Sequence, residues 1–192
     1  MRGNYVGVSR FVKESVVVTG TLCIAFFVCS ADASSQQVAT QGNPIPEFKL
    51  SDLDGKSFKS SQLRGRVVLL DLWATWCEPC LEDIPMLNRL YANFGNRGLQ
   101  VIGIAVQSGR TNDIRQHVEK LGIKYPILVG NERIMELYVP VGFPVRYLIS
   151  RDGRIAAKYL GSLPDQEKKR QTDLERDIES LLQHERLRMQ AR

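Results

Sequence analysis

Cys77 and Cys80 stand three residues apart in the run Trp76-Cys77-Glu78-Pro79-Cys80, just ahead of a segment with helical periodicity. On a helix, positions i and i+3 lie one turn apart, with Cβ atoms about 5–6 Å from each other. Little adjustment brings such a pair to disulfide distance, so it can open and close repeatedly. A cysteine at the start of a helix faces the positive end of the helix dipole, which favours the thiolate, the attacking species. Cys77 is therefore the expected nucleophile, exposed and of low pKa. Pro79 falls in the first turn, where its missing N–H costs no helical bond. Cys80, one turn in, is the more shielded thiol and the one to resolve a mixed disulfide.

The same spacing has other readings. A zinc site usually wants four ligands; beside this pair the chain after residue 33 offers only His117 and His184, far apart. Haem attachment needs a histidine after the second cysteine, and Leu81 stands there. As a structural staple the pair closes a loop too short to restrain much chain entropy. Dithiol–disulfide exchange without a metal or other cofactor is the reading that uses every residue of the run.

Further side chains could act on this pair. Asp71 interrupts the apolar run Val67–Leu72. A buried carboxylate is costly and has a raised pKa; the alternative is a solvated aspartate at a strand end. Glu78 places a like charge beside Cys77, which disfavours the thiolate and pushes the pair toward reducing character. Trp73 fits a core position, whereas Trp76, next to the nucleophile, fits an exposed contact surface for partner proteins.

These residues need an α/β frame. Arg66–Trp73, with its apolar run Val67-Val68-Leu69-Leu70, reads as a strand covered on both faces. After Pro79, Ile84, Leu87, Leu90, Tyr91 and Phe94 fall at helical spacing and Gly95 and Gly98 stop the helix. A short strand-turn-strand is expected at Glu47–Leu50 and Ser57–Lys59. Leu99–Val106 reads as a second buried strand, Asn112–Leu121 as a helix, Ile127–Val129 as a strand and Glu132–Tyr138 as a short helix. A hairpin, Val145–Ser150 with Arg154–Gly161, and a last helix from Asp165 to about Gln183 complete the domain. Alternating strands and helices with a terminal hairpin imply a central mixed sheet with helices on both faces.

The net charge of +5 comes from bases scattered among acids, with no basic run to mark a nucleic-acid partner. Residues 1–33 differ from the rest. Arg2, Arg10 and Lys13 precede a charge-free apolar run, Val16–Ala31, and Ala31-Asp32-Ala33 is a small-x-small cleavage signal. That order predicts a secretory signal peptide, or an N-terminal membrane anchor if it stays uncleaved. Cleavage leaves Cys77 and Cys80 as the only cysteines. Residues 34–43 read as a polar linker, 44–185 as the domain and 186–192 as a basic tail.

The stretch Val68-Leu69-Leu70-Asp71-Leu72-Trp73-Ala74-Thr75-Trp76-Cys77-Glu78-Pro79-Cys80 resembles the active-site segment of thioredoxins. Ile45-Pro46-Glu47-Phe48-Lys49-Leu50 through Leu63-Arg64-Gly65 resembles the exported TlpA/ResA branch. The likeness, over roughly Pro44 to Gly161, implies a thioredoxin-like fold. It also implies roles: Asp71 as the buried acid/base for Cys80, and Asp83 at the place of an acid, usually glutamate, that tunes the cysteines. A first-turn acid that merely complements the helix dipole is the other reading of Asp83. Pro144, in Val141-Gly142-Phe143-Pro144, matches the cis-proline that faces the cysteines, with the Phe143 backbone offered to an extended substrate segment. Val145-Arg146 departs from the threonine usual after that proline.

By resemblance the chain is a periplasmic or otherwise exported reductant of protein disulfides, of the cytochrome c maturation or copper-site assembly type. Its electrons would come from a membrane thiol carrier of the CcdA/DsbD kind. The alternatives are a thioredoxin-scaffold binding or holdase module and a disulfide-donating oxidase. A peroxidase of the related peroxiredoxin group would carry threonine where Ala74 stands.

Overall fold

The apolar run at the centre of the sequence argument becomes β3 (Val67–Trp73), buried at every residue and flanked by strands on both sides. A strand covered on both faces has no solvent side to mark with polar residues. The computed structural model describes residues 38–139, 141–161 and 167–190, leaving out the side chains of 167–170 and 185–190. The expected export segment, 1–33, lies outside the described residues.

Around β3 are β1 (Lys49–Asp52), β2 (Ser57–Lys59), β4 (Leu99–Ala105), β5 (Ile127–Val129), β6 (Val145–Ile149) and β7 (Ile155–Leu160). They form one seven-stranded mixed sheet in the order β2-β1-β5-β4-β3-β6-β7. β4 runs parallel to both β3 and β5, while β6 is antiparallel to β3 and to β7. The first strand lies two residues later than expected. Its register pairs Leu50 with Phe58, and Asp52 closes the turn by accepting the N–H groups of Asp54 and Lys56 at 2.9 and 2.8 Å.

The helices are α1 (Glu78–Phe94), α2 (Thr111–Leu121), α3 (Glu132–Tyr138) and α4 (Glu167–Gln190). Alternate residues of β3 separate two apolar clusters. Val67, Leu69 and Trp73 pack with Leu87 and Leu90 of α1 and Leu174, Ile178 and Leu182 of α4. Val68, Leu70 and Leu72 pack with Ile134, Leu137 and Tyr138 of α3. Asp71 falls between Leu69 and Trp73 and so belongs to the α1 side, the side that also holds both cysteines.

Two expected boundaries shift. The polar stretch read as a linker, 34–43, is part of the domain at its described end. Ala39 is fully buried and donates its N–H to Leu137, Gly42 donates to Ile155, and Ile155 donates back to Asn43. These are backbone bonds, which composition does not betray. The basic stretch expected as a tail from 186 continues the backbone of α4 through Gln190.

Candidate active site

Cys77 is the N-cap residue of α1, with extended backbone (φ −87°, ψ 94°), and its carbonyl accepts the first helical bonds, from Cys80 and Leu81. Glu78 and Pro79, both exposed, begin the helix one residue earlier than the periodicity suggests. Cys77 and Cys80 are joined in a disulfide, with Cα atoms 5.3 Å apart. The expected contrast in exposure is small in this state: Cys77 is 5% exposed and Cys80 2%. Turned toward its partner, Cys77 joins the α1-side core, against which Phe143 also packs.

The loop ahead of Cys77 is braced from the end of β4. The Thr75 N–H donates to Ser108 Oγ at 3.0 Å, and the Ser108 hydroxyl donates to the Val106 carbonyl at 2.9 Å. The indole N–H of Trp76 donates to the Gln107 carbonyl at 2.9 Å; Gln107 takes a left-handed backbone (φ 49°) to present it. Trp76 is nonetheless 62% exposed and meets Phe143 edge to face, with ring centres 5.7 Å apart. The Phe143–Pro144 peptide is cis. Pro144 is buried, and its carbonyl accepts the Gly161 N–H at 2.8 Å. The exposed indole beside Cys77 thus meets the phenyl ring that precedes Pro144, and that ring packs on the cluster holding both cysteines.

Between β3, β6 and α1 lies a buried ionic cluster. Asp71 is 2% exposed and Arg146 7%, and they are direct partners across the antiparallel β3–β6 ladder. Arg146 Nε donates to Asp71 Oδ1 at 3.0 Å, and Nη2 of the same guanidinium donates to Asp83 Oδ2. Asp83, three residues after Cys80 on α1, is buried as well. The solvated strand-end reading of Asp71 thus does not describe its position, and the reading of Asp83 as a first-turn acid does not fit either, since α1 begins at Glu78 and Asp83 lies past its first turn.

Burial pushes the Asp71 carboxyl from 3.8 up to about 6; the guanidinium pulls it down and the like charge of Asp83 adds to the rise. Arg146 is held more firmly charged, with the two carboxylates outweighing its burial. Charged groups facing each other at this depth are kept by mutual pairing.

Arg146 was not singled out in the sequence as a site residue. The signal was a charge inside Val145-Arg146-Tyr147-Leu148-Ile149, opposite in sign to the acidic break in Val67–Trp73. Tyr125 was also missed. It is buried, its hydroxyl has no hydrogen-bond partner among the described residues, and burial together with the charge of Asp71 pushes it well above its ordinary pKa. Room for it depends on Gly103, the partner of Asp71 across the parallel β3–β4 ladder. A Cβ there would stand 2.5 Å from Ile127 Cδ1 and 3.1 Å from both Trp73 Nε1 and Tyr125 Cε2. Trp73 is core, 1% exposed. Among the described residues no three His, Cys, Asp or Glu side chains are grouped to hold a metal, and no helix is long and apolar enough to cross a membrane.

Comparison with known proteins agrees with this geometry. The model of the AhpC/TSA family matches residues 41–158. The thiol-disulfide oxidoreductase ResA of Bacillus thuringiensis (strain Al Hakam) is 31% identical over 143 residues, covering 73% of this chain and 78% of that protein. ResA of Geobacillus thermodenitrificans is 25% identical over 174 residues, 90% of this chain and 96% of that protein. Among solved structures, a putative thiol:disulfide interchange protein DsbE from Chlorobium tepidum superposes with a TM-score of 0.67 at 28% identity, covering 75% of this chain and 99% of that one.

Proposed function

The chain belongs to the thioredoxin-like AhpC/TSA family and is a thiol–disulfide oxidoreductase acting on protein substrates, and we propose that it is an exported reductant of protein disulfides. The observation that carries this reading is the Cys77–Cys80 disulfide at the head of α1, beside the exposed indole of Trp76.

In the reductive half-cycle the Cys77 thiolate attacks one sulfur of a substrate disulfide. A Cys77–substrate mixed disulfide forms and the other substrate sulfur leaves as a thiolate. Cys80 then gives its proton to the Asp71 carboxylate and attacks the Cys77 sulfur. The Cys77–Cys80 disulfide forms as the Cys77–substrate S–S bond breaks, and the second substrate sulfur leaves as a thiolate carrying the electron pair of that bond. Trp76 and Phe143 give the substrate an apolar landing, and the Phe143 backbone beside Pro144 suits an extended segment, since proline adds no competing ladder donor. Asp83 tunes the pair from one turn below Cys80.

Glu78 supports the direction of electron flow, because a carboxylate beside Cys77 disfavours the thiolate that stabilises the reduced form. A reductant working outside the cytoplasm needs a dedicated donor, which fits a membrane thiol carrier of the CcdA/DsbD kind. Apocytochrome c or copper-site proteins are the substrates in keeping with the TlpA/ResA resemblance. Export rests on residues 1–33, with the mature chain starting at Ser34.

Equilibration with glutathione redox buffers tests the direction: a potential well below that of a strong oxidant, about −120 mV, is expected, and a value near it would make the protein a disulfide donor. Insulin reduction abolished by Cys77→Ser is expected of an enzyme, and retained client binding without it would favour a holdase. N-terminal sequencing that began at Met1 would replace the cleaved signal with an anchor. Partners trapped as mixed disulfides on a Cys80→Ser variant would identify the substrates.

A further inference from the structure

During resolution the substrate covers the open side of the disulfide, yet Cys80 must shed a proton at that moment. The structure offers a different way out. Behind the Asp71–Arg146–Asp83 cluster lies a cavity of about 30 Å³, lined by Asp83, Arg146, Met86, Tyr159, Gly161 and residues of α4. That volume holds one water, and its polar walls can bind one. Asp83 and Arg146 face it directly, and Gln171 lines it from α4, where its amide donates to Glu175 at 3.1 Å. The cavity therefore reaches from the Asp83–Arg146 end of the cluster to α4, and neither Trp76 nor Phe143 lines it.

The charged and titratable groups around the cluster come from every element packed on it. Cys80 and Asp83 are on α1, Arg146 is on β6, and Tyr125 precedes β5. Tyr159 of β7 donates its hydroxyl to Asp177 of α4 at 2.7 Å. Arginine does not give up its proton in proteins, so Arg146 cannot be a link in the transfer. What it can do is fix geometry: its planar fork engages one carboxylate through Nε and the other through Nη2.

We propose that Arg146 is a positioning residue of the reaction, clamping Asp71 and Asp83 as one carboxylate pair beneath Cys80, and that this pair passes the Cys80 proton to solvent through the α4-side cavity rather than across the substrate face. The proposal rests on the reading of Asp71 as the base for Cys80. The step balances simply. The Cys80 S–H bond breaks, and its proton goes to the carboxylate pair and then to cavity water. The sulfur's electron pair forms the bond to Cys77, and the mixed-disulfide bond at Cys77 breaks with its electron pair leaving on the substrate sulfur as a thiolate.

The probe is 5,5′-dithiobis(2-nitrobenzoate) with the reduced protein, followed by stopped flow. The first burst of thionitrobenzoate reports attack by Cys77, and the second reports resolution by Cys80. In Arg146→Met the midpoint of the second phase's pH profile is expected to rise by about one unit, with the rate near neutrality falling roughly tenfold. Arg146→Lys restores the midpoint but not the full rate, because an ammonium is not a two-pronged donor. Gln171→Met, which makes the cavity apolar, slows the second phase several-fold and leaves the first unchanged. An unmoved midpoint in Arg146→Met overturns the clamp, as a wild-type second phase in Gln171→Met overturns the route. If Arg146→Met fails to fold, Arg146→Lys and Gln171→Met decide: a wild-type second phase in both overturns the proposal. Asp71→Asn separates the levels: a wild-type second phase there removes the underlying relay, whereas a slowed one with the other variants unaffected removes only this proposal.

Discussion

Asp71 and Arg146 face each other across neighbouring antiparallel strands, and the same guanidinium that bonds Asp71 at 3.0 Å also bonds Asp83 on α1. One cation thus ties the central strand, the strand after cis-Pro144 and the helix that carries both cysteines. Removing one partner of a buried pair strands the other without solvent or counter-charge, at a cost of about 3–5 kcal/mol. Arg146→Ala is expected to destabilise the oxidised protein by that order. In the double variant Asp71→Asn/Arg146→Ala the loss should be smaller than the sum of the two single losses. Urea unfolding of the three variants measures this; strictly additive losses would show that the two side chains do not couple.

The raised Asp71 carboxyl links stability to pH. It titrates near 6 in the fold against 3.8 in the open chain. Between those values the folded state binds more protons than the unfolded state. Its contribution is therefore most favourable below about pH 4 and declines as pH rises through about 6. Two units amount to roughly 3 kcal/mol. Wild type should lose stability relative to Asp71→Asn by about that order between pH 4 and 7, read by urea unfolding at a series of pH values. Parallel curves would mean that Asp71 does not titrate in this window.

Glu78 bears on the potential. Substituting Glu78→Gln removes a like charge beside Cys77, stabilises the thiolate and hence the reduced form. A shift of about 20 mV toward oxidising values is expected, small because Glu78 is solvent-screened. Glutathione equilibration of variant and wild type side by side gives the difference, and a shift toward reducing values would contradict the sign.

Nucleophile assignment can be read from alkylation. In the reduced protein near neutral pH, iodoacetamide is expected to label Cys77 before Cys80, because Cys77 caps the helix N-terminus while Cys80 lies within the first turn. Peptide mapping after a short pulse gives the order. Label on Cys80 first would exchange the two roles.

Trp76 should matter to protein substrates and little to small ones. Trp76→Ala removes the exposed ring that meets Phe143 and the indole anchor on Gln107. Insulin reduction is expected to slow several-fold through KM, with the first phase of the small aromatic disulfide nearly unchanged. Equal slowing of both would point to a disordered Cys77 loop instead of a lost docking surface.

The sequence by itself determined the chemistry and most of the frame. Cys77 and Cys80 at helical i,i+3 spacing, the apolar run of β3 and the helically spaced apolar positions of α1 are local patterns, and local patterns fix local structure. Asp71 declared itself as a charge in an apolar strand. What only the tertiary structure decided was who stands opposite it. Register between β3 and β6 joins residues 75 positions apart, and nothing in either strand's composition sets that alignment. Arg146 therefore read as an oddity after Pro144 until the ladder placed it between Asp71 and Asp83. The docking of residues 39–43 was hidden for the same reason: it is made by backbone donors and acceptors, which every sequence carries and only the fold brings together.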